Sequence, residues 1–273
     1  MASLKGKTLF IAGASRGIGE AIGLRAACDG ANIVIAAKTE TPHPKLPGTI
    51  HSAAKAMEEA GGKALPIPMD IRHDAQIAAA VEAAVARFGG IDILVNNASA
   101  ISLTGTTETT LKRFDLMMGV NTRGSFACAQ VCLPHLKRAT NPHILTIAPP
   151  PNLNPRWFKH HVAYTIAKYG MSLLVLGQAE EFKPFGIAVN ALWPRTVIAT
   201  AALQMLPGVD PKGGRVPAIM ADAAHGILVR EARRCTGNFF IDDEVLATKG
   251  VTDLRLYAVD PNRALLPDLF LDP

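Results

Sequence analysis

The segment TLFIAGASRGIGEAIG, residues 8–23, constrains the fold of this chain more than any other. Leu9, Phe10 and Ile11 form the short apolar run of a buried strand, and from Gly17 onward Ile18, Ala21 and Ile22 keep a helical spacing. A glycine-spaced turn therefore stands between a strand and a helix. Such a helix aims its unsatisfied N–H groups and the positive end of its dipole beyond the strand, which suits a pyrophosphate. Gly13, Gly17 and Gly19 would permit the turn, the approach of phosphates and close packing of helix on strand. The spacing is Gly-x-x-x-Gly-x-Gly rather than Gly-x-Gly-x-x-Gly, and a ligand-free glycine turn also fits it.

The alternation continues along the chain. Residues 31–37 read as a second strand that completes a β-α-β unit. Next come a helix over 52–60 closed by Gly61-Gly62, a strand over 64–69, a helix from Asp74 to Phe88 with Asp74 as its cap, and a strand over 91–95. Residues 110–137 read as mostly helical, with Asn121 between Gly119 and Gly124. Asn and Gly are poor helix formers, so a kink that exposes backbone groups is expected there. Strands over 143–147, 187–192 and 238–241, and helices from Ala163 and over 217–232, complete the pattern. Between the last two strands, 196–216 reads as a short helix plus loop, a flap over the substrate or a plain connection.

This rhythm predicts an α/β fold with a single Rossmann-type doubly wound parallel sheet, helices on both faces, and ligand beyond the carboxyl ends of the strands. Those ends carry the glycine turn, Lys38, Asp70 and Asn97. At 273 residues the chain suits one large domain and is short for two, so a single domain over 1–273 is expected. The tail from 250 to 273 contains Leu265, Leu266, Leu269 and Phe270 and should pack on its own or a neighbouring subunit.

The residues just after the second strand bear on the cofactor. Where an acidic side chain commonly holds the ribose 2′-hydroxyl of NAD, this chain has Lys38, with Glu40 two residues later. A cation suits a 2′-phosphate and Arg16 supplies a second, so NADP is expected, with NAD possible. The proline-rich 41–47 cannot be regular structure and reads as a surface excursion beside the adenine end.

The net charge of +5 could suit a polyanion, but Lys and Arg are scattered and aromatics amount to 5%, so no nucleic-acid partner is expected. Cys28, Cys128, Cys132 and Cys235 lack C-x-x-C spacing and read as small core residues of a reducing compartment; neither they nor His160-His161 define a metal site. No signal peptide, no membrane span and no peroxisomal S-K-L address is read, so a cytoplasmic protein is expected.

On the helix from Ala163, Tyr164 and Lys168 stand one turn apart and project from one face. An ammonium close to the phenol favours phenolate and would bring its pKa down from about 10 toward working pH. The plain alternative is a surface Tyr with a solvated Lys. Placement one helix after the fifth strand makes the pair more specific.

Taken together, Gly13-x-x-x-Gly17-Ile18-Gly19, Asn96-Asn97-Ala98-Ser99, Asn121 and Tyr164-x-x-x-Lys168 resemble the short-chain dehydrogenase/reductase family over essentially the whole chain. The resemblance implies that Tyr164 exchanges a proton with a substrate oxygen while hydride moves to or from a nicotinamide. Lys168 would hold the nicotinamide ribose, and Asn121 would support a water-linked proton path to Lys168. Implied cofactor contacts are Gly13, Ser15, Arg16, Gly17, Ile18, Gly19, Lys38, Asp70, Ile71, Asn97, Ala98, Ser99, Tyr164, Lys168, Pro194, Thr196, Val197 and Thr200. A homodimer or homotetramer built from the long helices is also implied.

One departure stands out. The family's serine near the end of the fifth strand falls on Pro149, which has neither hydroxyl nor N–H, and losing one such donor costs about a hundredfold or more in rate. Thr146, Asn152, Asn154 or a backbone N–H beyond the prolines could substitute. The alternative is a nucleotide-binding sensor or scaffold with little or no turnover. Trp157, Phe158, Trp193, Met205 and Leu206 are expected to wall an apolar pocket for a small, lipid-like alcohol or carbonyl, or else to be ordinary core.

Overall fold

The computed structural model describes residues 2–44, 46–204 and 208–272. Met205 and Leu206, expected to wall the pocket, lie outside the described residues. The strands are β1 (Thr8–Ala12), β2 (Asn32–Ala37), β3 (Lys63–Pro68), β4 (Ile93–Asn96), β5 (His143–Ile147), β6 (Ala188–Trp193) and β7 (Phe239–Ile241). They form one seven-stranded sheet in the order β3-β2-β1-β4-β5-β6-β7. Every neighbouring pair is parallel. The order turns back between β1 and β4, which leaves a crevice beyond their carboxyl ends.

The apolar runs follow from burial on both faces. Along β1, Leu9 and Ile11 enter one core while Phe10 and Ala12 enter the other. The first core lies under α1 (Gly17–Ala27), α2 (Ile50–Glu59) and α8 (Ala218–Leu228), whose buried residues belong to it, once α3 (Asp74–Phe88), α4 (Leu111–Met117), α5 (Gly124–Leu136), α6 (Val162–Phe182) and α7 (Ala201–Gln204) are counted in chain order. The second core is built mainly from α3, α5 and α6. A last helix, α9 (Asp242–Ala247), was not expected from the sequence.

Two expectations are refined. His73 occupies the N-cap of α3, so Asp74 is its first residue, and the Asp74 carboxylate pairs with Arg123 at 2.7 Å. The kink near Asn121 is a π-helical turn, Met118–Arg123, inserted between α4 and α5. Among the described residues no helix is long and apolar enough to cross a membrane. No group of three or more His, Cys, Asp or Glu among them could hold a metal ion. Cys128 and Cys132 are buried on α5, and burial pushes the Cys128 thiol up to about 12.

Candidate active site

The turn after β1 is closed by its glycines. Gly13 and Gly17 have φ of 86° and 65°, and the Gly13 N–H donates to the carbonyl of Ala36 at 2.8 Å. A Cβ on Gly19 would overlap the Gly13 carbonyl oxygen and stand 2.6 Å from Asn97 Nδ2, so this position serves helix-to-strand packing. Asn97 Nδ2 donates to the same carbonyl at 2.7 Å and ties the end of β4 to the turn.

α1 begins without a side-chain cap: Arg16 is extended at the N-cap and makes no capping hydrogen bond. α2, by contrast, starts with a complete capping box between Thr49 and Ser52. The first N–H groups of α1 therefore open onto a cavity whose wall includes Gly13, Ser15, Arg16, Gly17 and Ile18. Positive dipole end, missing cap and close-set glycines fit a bound phosphate.

Lys38 is exposed at the end of β2 and lines the same cavity. Arg16 is partly diverted, since its Nη2 donates to the Gly48 carbonyl at 2.9 Å and anchors the proline-rich excursion. Its Nε is buried without a partner among the described residues. Asp70, just beyond β3, is gripped by Arg72 at 2.5 Å, and that hydrogen bond holds its carboxyl down to about 2.

This cavity, of about 790 Å³, runs on from the phosphate end to α6. Lys168 is buried, and its Nζ donates to the Ile147 carbonyl at the end of β5 at 2.6 Å. The ammonium also lies 5.0 Å from the Trp193 ring centroid. Tyr164, one turn earlier, lines the cavity, and its hydroxyl has no hydrogen-bond partner among the described residues. Burial pushes Lys168 down to about 7. Burial, reinforced by Asp268, pushes the Tyr164 phenol up rather than down. The lowering expected from the Lys168 ammonium is therefore not found: desolvation of the phenolate dominates here.

Asn121 sits inside the π turn, wholly buried, and its carboxamide spans the backbone of Ala100, accepting from the N–H at 2.7 Å and donating to the carbonyl at 3.1 Å. Its side chain thus anchors the loop after β4 and does not line the cavity. Thr196, expected at the cofactor, is likewise buried away from the cavity wall, beside an antiparallel bridge to Pro267. Gly19 is absent from the wall because it is taken up by helix-to-strand packing. The remaining expected contacts, Ile71, Ala98, Ser99, Pro194, Val197 and Thr200 among them, do line it.

The proposed substitutes for the missing hydroxyl are placed elsewhere. Thr146 is buried in β5 beneath Asn96, whose Nδ2 donates to it at 3.4 Å. Asn152 donates to Asp272 at 2.8 Å, and Asn154 caps the short 3-10 turn Pro155–Trp157. None of the three, and no backbone group of 148–161, belongs to the cavity wall. Trp193 lines it, but Trp157 and Phe158 pack instead on the tail and α6, with ring centroids 6.0 Å from Phe270 and 5.5 Å from Tyr169 respectively.

The contribution that sequence reasoning missed is the tail. It runs over the site on its own chain: Leu266 N–H donates to Gly213 at 2.8 Å, Val197 N–H to Leu266 at 3.0 Å, and Asp268 N–H to Arg195 at 3.1 Å. Trp193 Nε1 donates to the Leu269 carbonyl at 2.9 Å, and Asp272 is paired with Arg156. Phe270, buried at φ 73°, then lies among the rings of Trp157, His161, Tyr164, Tyr169 and Trp193. Leu266, Pro267, Asp268 and Leu269 become cavity wall. The apolar spacing at 265–270 signalled packing, but nothing local to Asp268 marked where it would face.

The pattern of the short chain dehydrogenase family matches residues 7–207. Hydroxysteroid dehydrogenase-like protein 2 of Xenopus laevis is 62% identical over 271 residues, which are 98% of this chain and 64% of that protein. The human protein of the same name is 59% identical over 98% of this chain and 64% of its own length. A solved structure from Xanthomonas campestris is 67% identical, with a TM-score of 0.98 over 99% of this chain and 100% of that one. The chain thus spans somewhat less than two thirds of the length of those curated relatives. With a family match over most of its length, these relatives and a glycine turn joined by one cavity to Tyr164 and Lys168, the chain belongs to the short-chain dehydrogenase family.

Proposed function

We propose that this chain is an NADP(H)-dependent oxidoreductase that interconverts a secondary alcohol and a carbonyl. The observation that carries the reading is the single continuous cavity joining the uncapped start of α1 to Tyr164 and Lys168. The bound dinucleotide would supply or accept hydride. The chain's own residues bind, orient and move a proton: the start of α1 takes the pyrophosphate, Lys38 the 2′-phosphate, and Lys168 the nicotinamide ribose. Tyr164 gives its hydroxyl proton to the carbonyl oxygen in reduction and recovers it in oxidation. Asn121 contributes through backbone geometry, by holding the π turn and the loop at Ala100.

Apolar wall residues beyond Tyr164, including Leu103, Val209, Leu266 and Leu269, support an apolar or lipid-like substrate. Exposed Phe126 on α5 and Ile166, Leu173 and Leu176 on α6 support a homo-oligomer built on these helices. Leu173→Glu is expected to shift the mass in light scattering toward the monomer.

The test is NADPH oxidation against a carbonyl panel with parent and Tyr164→Phe. Turnover lost by about a hundredfold or more in the variant, with NADPH still bound, is the expected result. Pro149 favours a second reading, a nucleotide-binding sensor; NADPH binding with no turnover of any carbonyl would establish that instead.

A further inference from the structure

Five ionisable residues of the cavity wall, Arg16, Lys38, Asp70, Tyr164 and Lys168, are named by the glycine motif, the strand ends or the Tyr-Lys pair; Asp268 is the sixth and comes from the tail. Its backbone is fixed on both sides, by the bridge from Pro267 to Thr196, by its own N–H on the Arg195 carbonyl at 3.1 Å, and by Trp193 holding Leu269 at 2.9 Å. Asp268 Oδ1 accepts from the Leu269 N–H at 2.6 Å, and Oδ2 has no partner among the described residues. Asp268, its backbone held on both sides, thus lines the same cavity as Tyr164 and Lys168 and interacts electrostatically with both, in a site where Pro149 supplies no donor.

We propose that Asp268, in its neutral form, donates a hydrogen bond to the carbonyl oxygen of the substrate and so replaces the hydroxyl that Pro149 lacks. The proposal rests on the oxidoreductase reading above. In reduction the Tyr164 O–H bond breaks and its proton passes to the substrate oxygen, while Asp268 keeps its own proton. A bound NADPH would supply the hydride to the carbonyl carbon, being oxidised as the carbonyl is reduced.

The surroundings favour a neutral carboxyl. Burial pushes Asp268 up to about 7, with the Leu269 N–H and Lys168 opposing and Asp242 adding to the shift. The charged and titratable groups that act on it are Lys168 and Tyr164 from α6 and Asp242 at the start of α9, which has Arg215 beside it; His161 stands on Tyr164, its ring 6.4 Å from that of the phenol. Burial that keeps a carboxylic acid protonated near neutral pH makes it a strong donor to a developing oxyanion.

The experiment compares parent, Asp268→Leu, Asp268→Asn and Tyr164→Phe, reading kcat, KM and the NADPH dissociation constant from about pH 5.5 to 9, a range set by the ordinary His and Lys values. The active form carries the proton on Asp268, so reductive kcat of the parent falls as pH rises through about 7, where Lys168 loses its proton as well. Asp268→Leu should lower kcat by about a hundredfold with NADPH affinity changed less than about threefold. Asp268→Asn keeps a donor at every pH and retains the acceptor for Leu269, so it should stay within about tenfold of the parent. Full activity in Asp268→Leu, or an Asp268→Asn variant more than about tenfold below the parent, overturns the proposal while Tyr164-dependent turnover stands; the Asn variant decides the matter if the Leu variant does not fold. A parent without Tyr164-dependent turnover overturns the oxidoreductase reading, and this proposal with it.

Discussion

The ring of Phe270 lies 6.2 Å from the ring of Tyr164, tilted by 30°, so a side chain near the C-terminus packs against the phenol at the start of α6. Phe270 is 1% exposed and is the one non-glycine residue with positive φ among those described. A bulky residue adopts that backbone only where its surroundings outweigh the strain. Here the surroundings are five rings and the hydrogen bonds on either side of the residue.

Phe270→Ala should release the tail before it unfolds the sheet. A buried Phe cut to Ala costs about 3–5 kcal/mol, which is about a hundredfold or more in a local opening equilibrium. Hydrogen exchange at the amides of Leu266 and Asp268 should quicken accordingly while that of β1 and β5 holds. Unchanged exchange at both amides would show that the ring does not hold the tail.

Gly19→Ala should lower stability, because its Cβ would overlap the Gly13 carbonyl oxygen, with backbone on both sides of the clash. Overpacking of this kind costs about 1–3 kcal/mol, and each kcal/mol lowers Tm by about 2–4 °C in a chain of this size. Gly177→Ala on α6 meets nothing within 4 Å and should instead raise stability by about 0.5–1 kcal/mol. Calorimetry on the pair separates space from helix propensity; a neutral Gly19→Ala contradicts the packing assignment.

Lys38→Asp should reverse cofactor preference if the exposed ammonium meets the 2′-phosphate. Hydrogen bonds to charged groups contribute about 1.5–3 kcal/mol, so the NADPH-to-NADH affinity ratio should fall by about tenfold to a hundredfold. Fluorescence titration of both nucleotides reads the ratio, and an unaltered ratio removes Lys38 from the contact.

Asp29 should govern part of the acid stability. Burial pushes its carboxyl up, but the Leu4 N–H at 2.8 Å, His225 Nε2 at 2.8 Å and Arg25 at 3.0 Å outweigh that and hold it well below the ordinary 3.8. The folded value lies below the unfolded one, so this stabilisation is complete above about pH 4 and fades as pH falls toward the folded value. Asp29→Ala should cost about 2–3 kcal/mol at pH 7, with the gap from the parent narrowing between about pH 4 and 2 in urea unfolding. A gap that stays constant over that range would assign the cost to lost packing.

The N-terminal half of the site was legible because its information is local. A strand, a glycine turn and a helix start are set by residues a few positions apart, and the ends of β1, β2, β3 and β4 converge once the strands are parallel. Pairing of Tyr164 with Lys168 needed only the helical repeat. Asn121 was visible as a break in helix-forming composition, though which groups its carboxamide would hold was not, because Ala100 belongs to another element.

Residues a few positions apart set the alternating elements, the sheet and the glycine turn, since periodicity and backbone conformational preference act over that range. Tertiary structure alone decided that Thr146, Asn152 and Asn154 turn away from the cavity, that desolvation dominates the Tyr164 phenol, and that Asp268 and Phe270 reach the site from the tail. Those outcomes depend on the water that distant segments exclude and the side chains they bring together, and neither is encoded in the spacing of neighbouring residues.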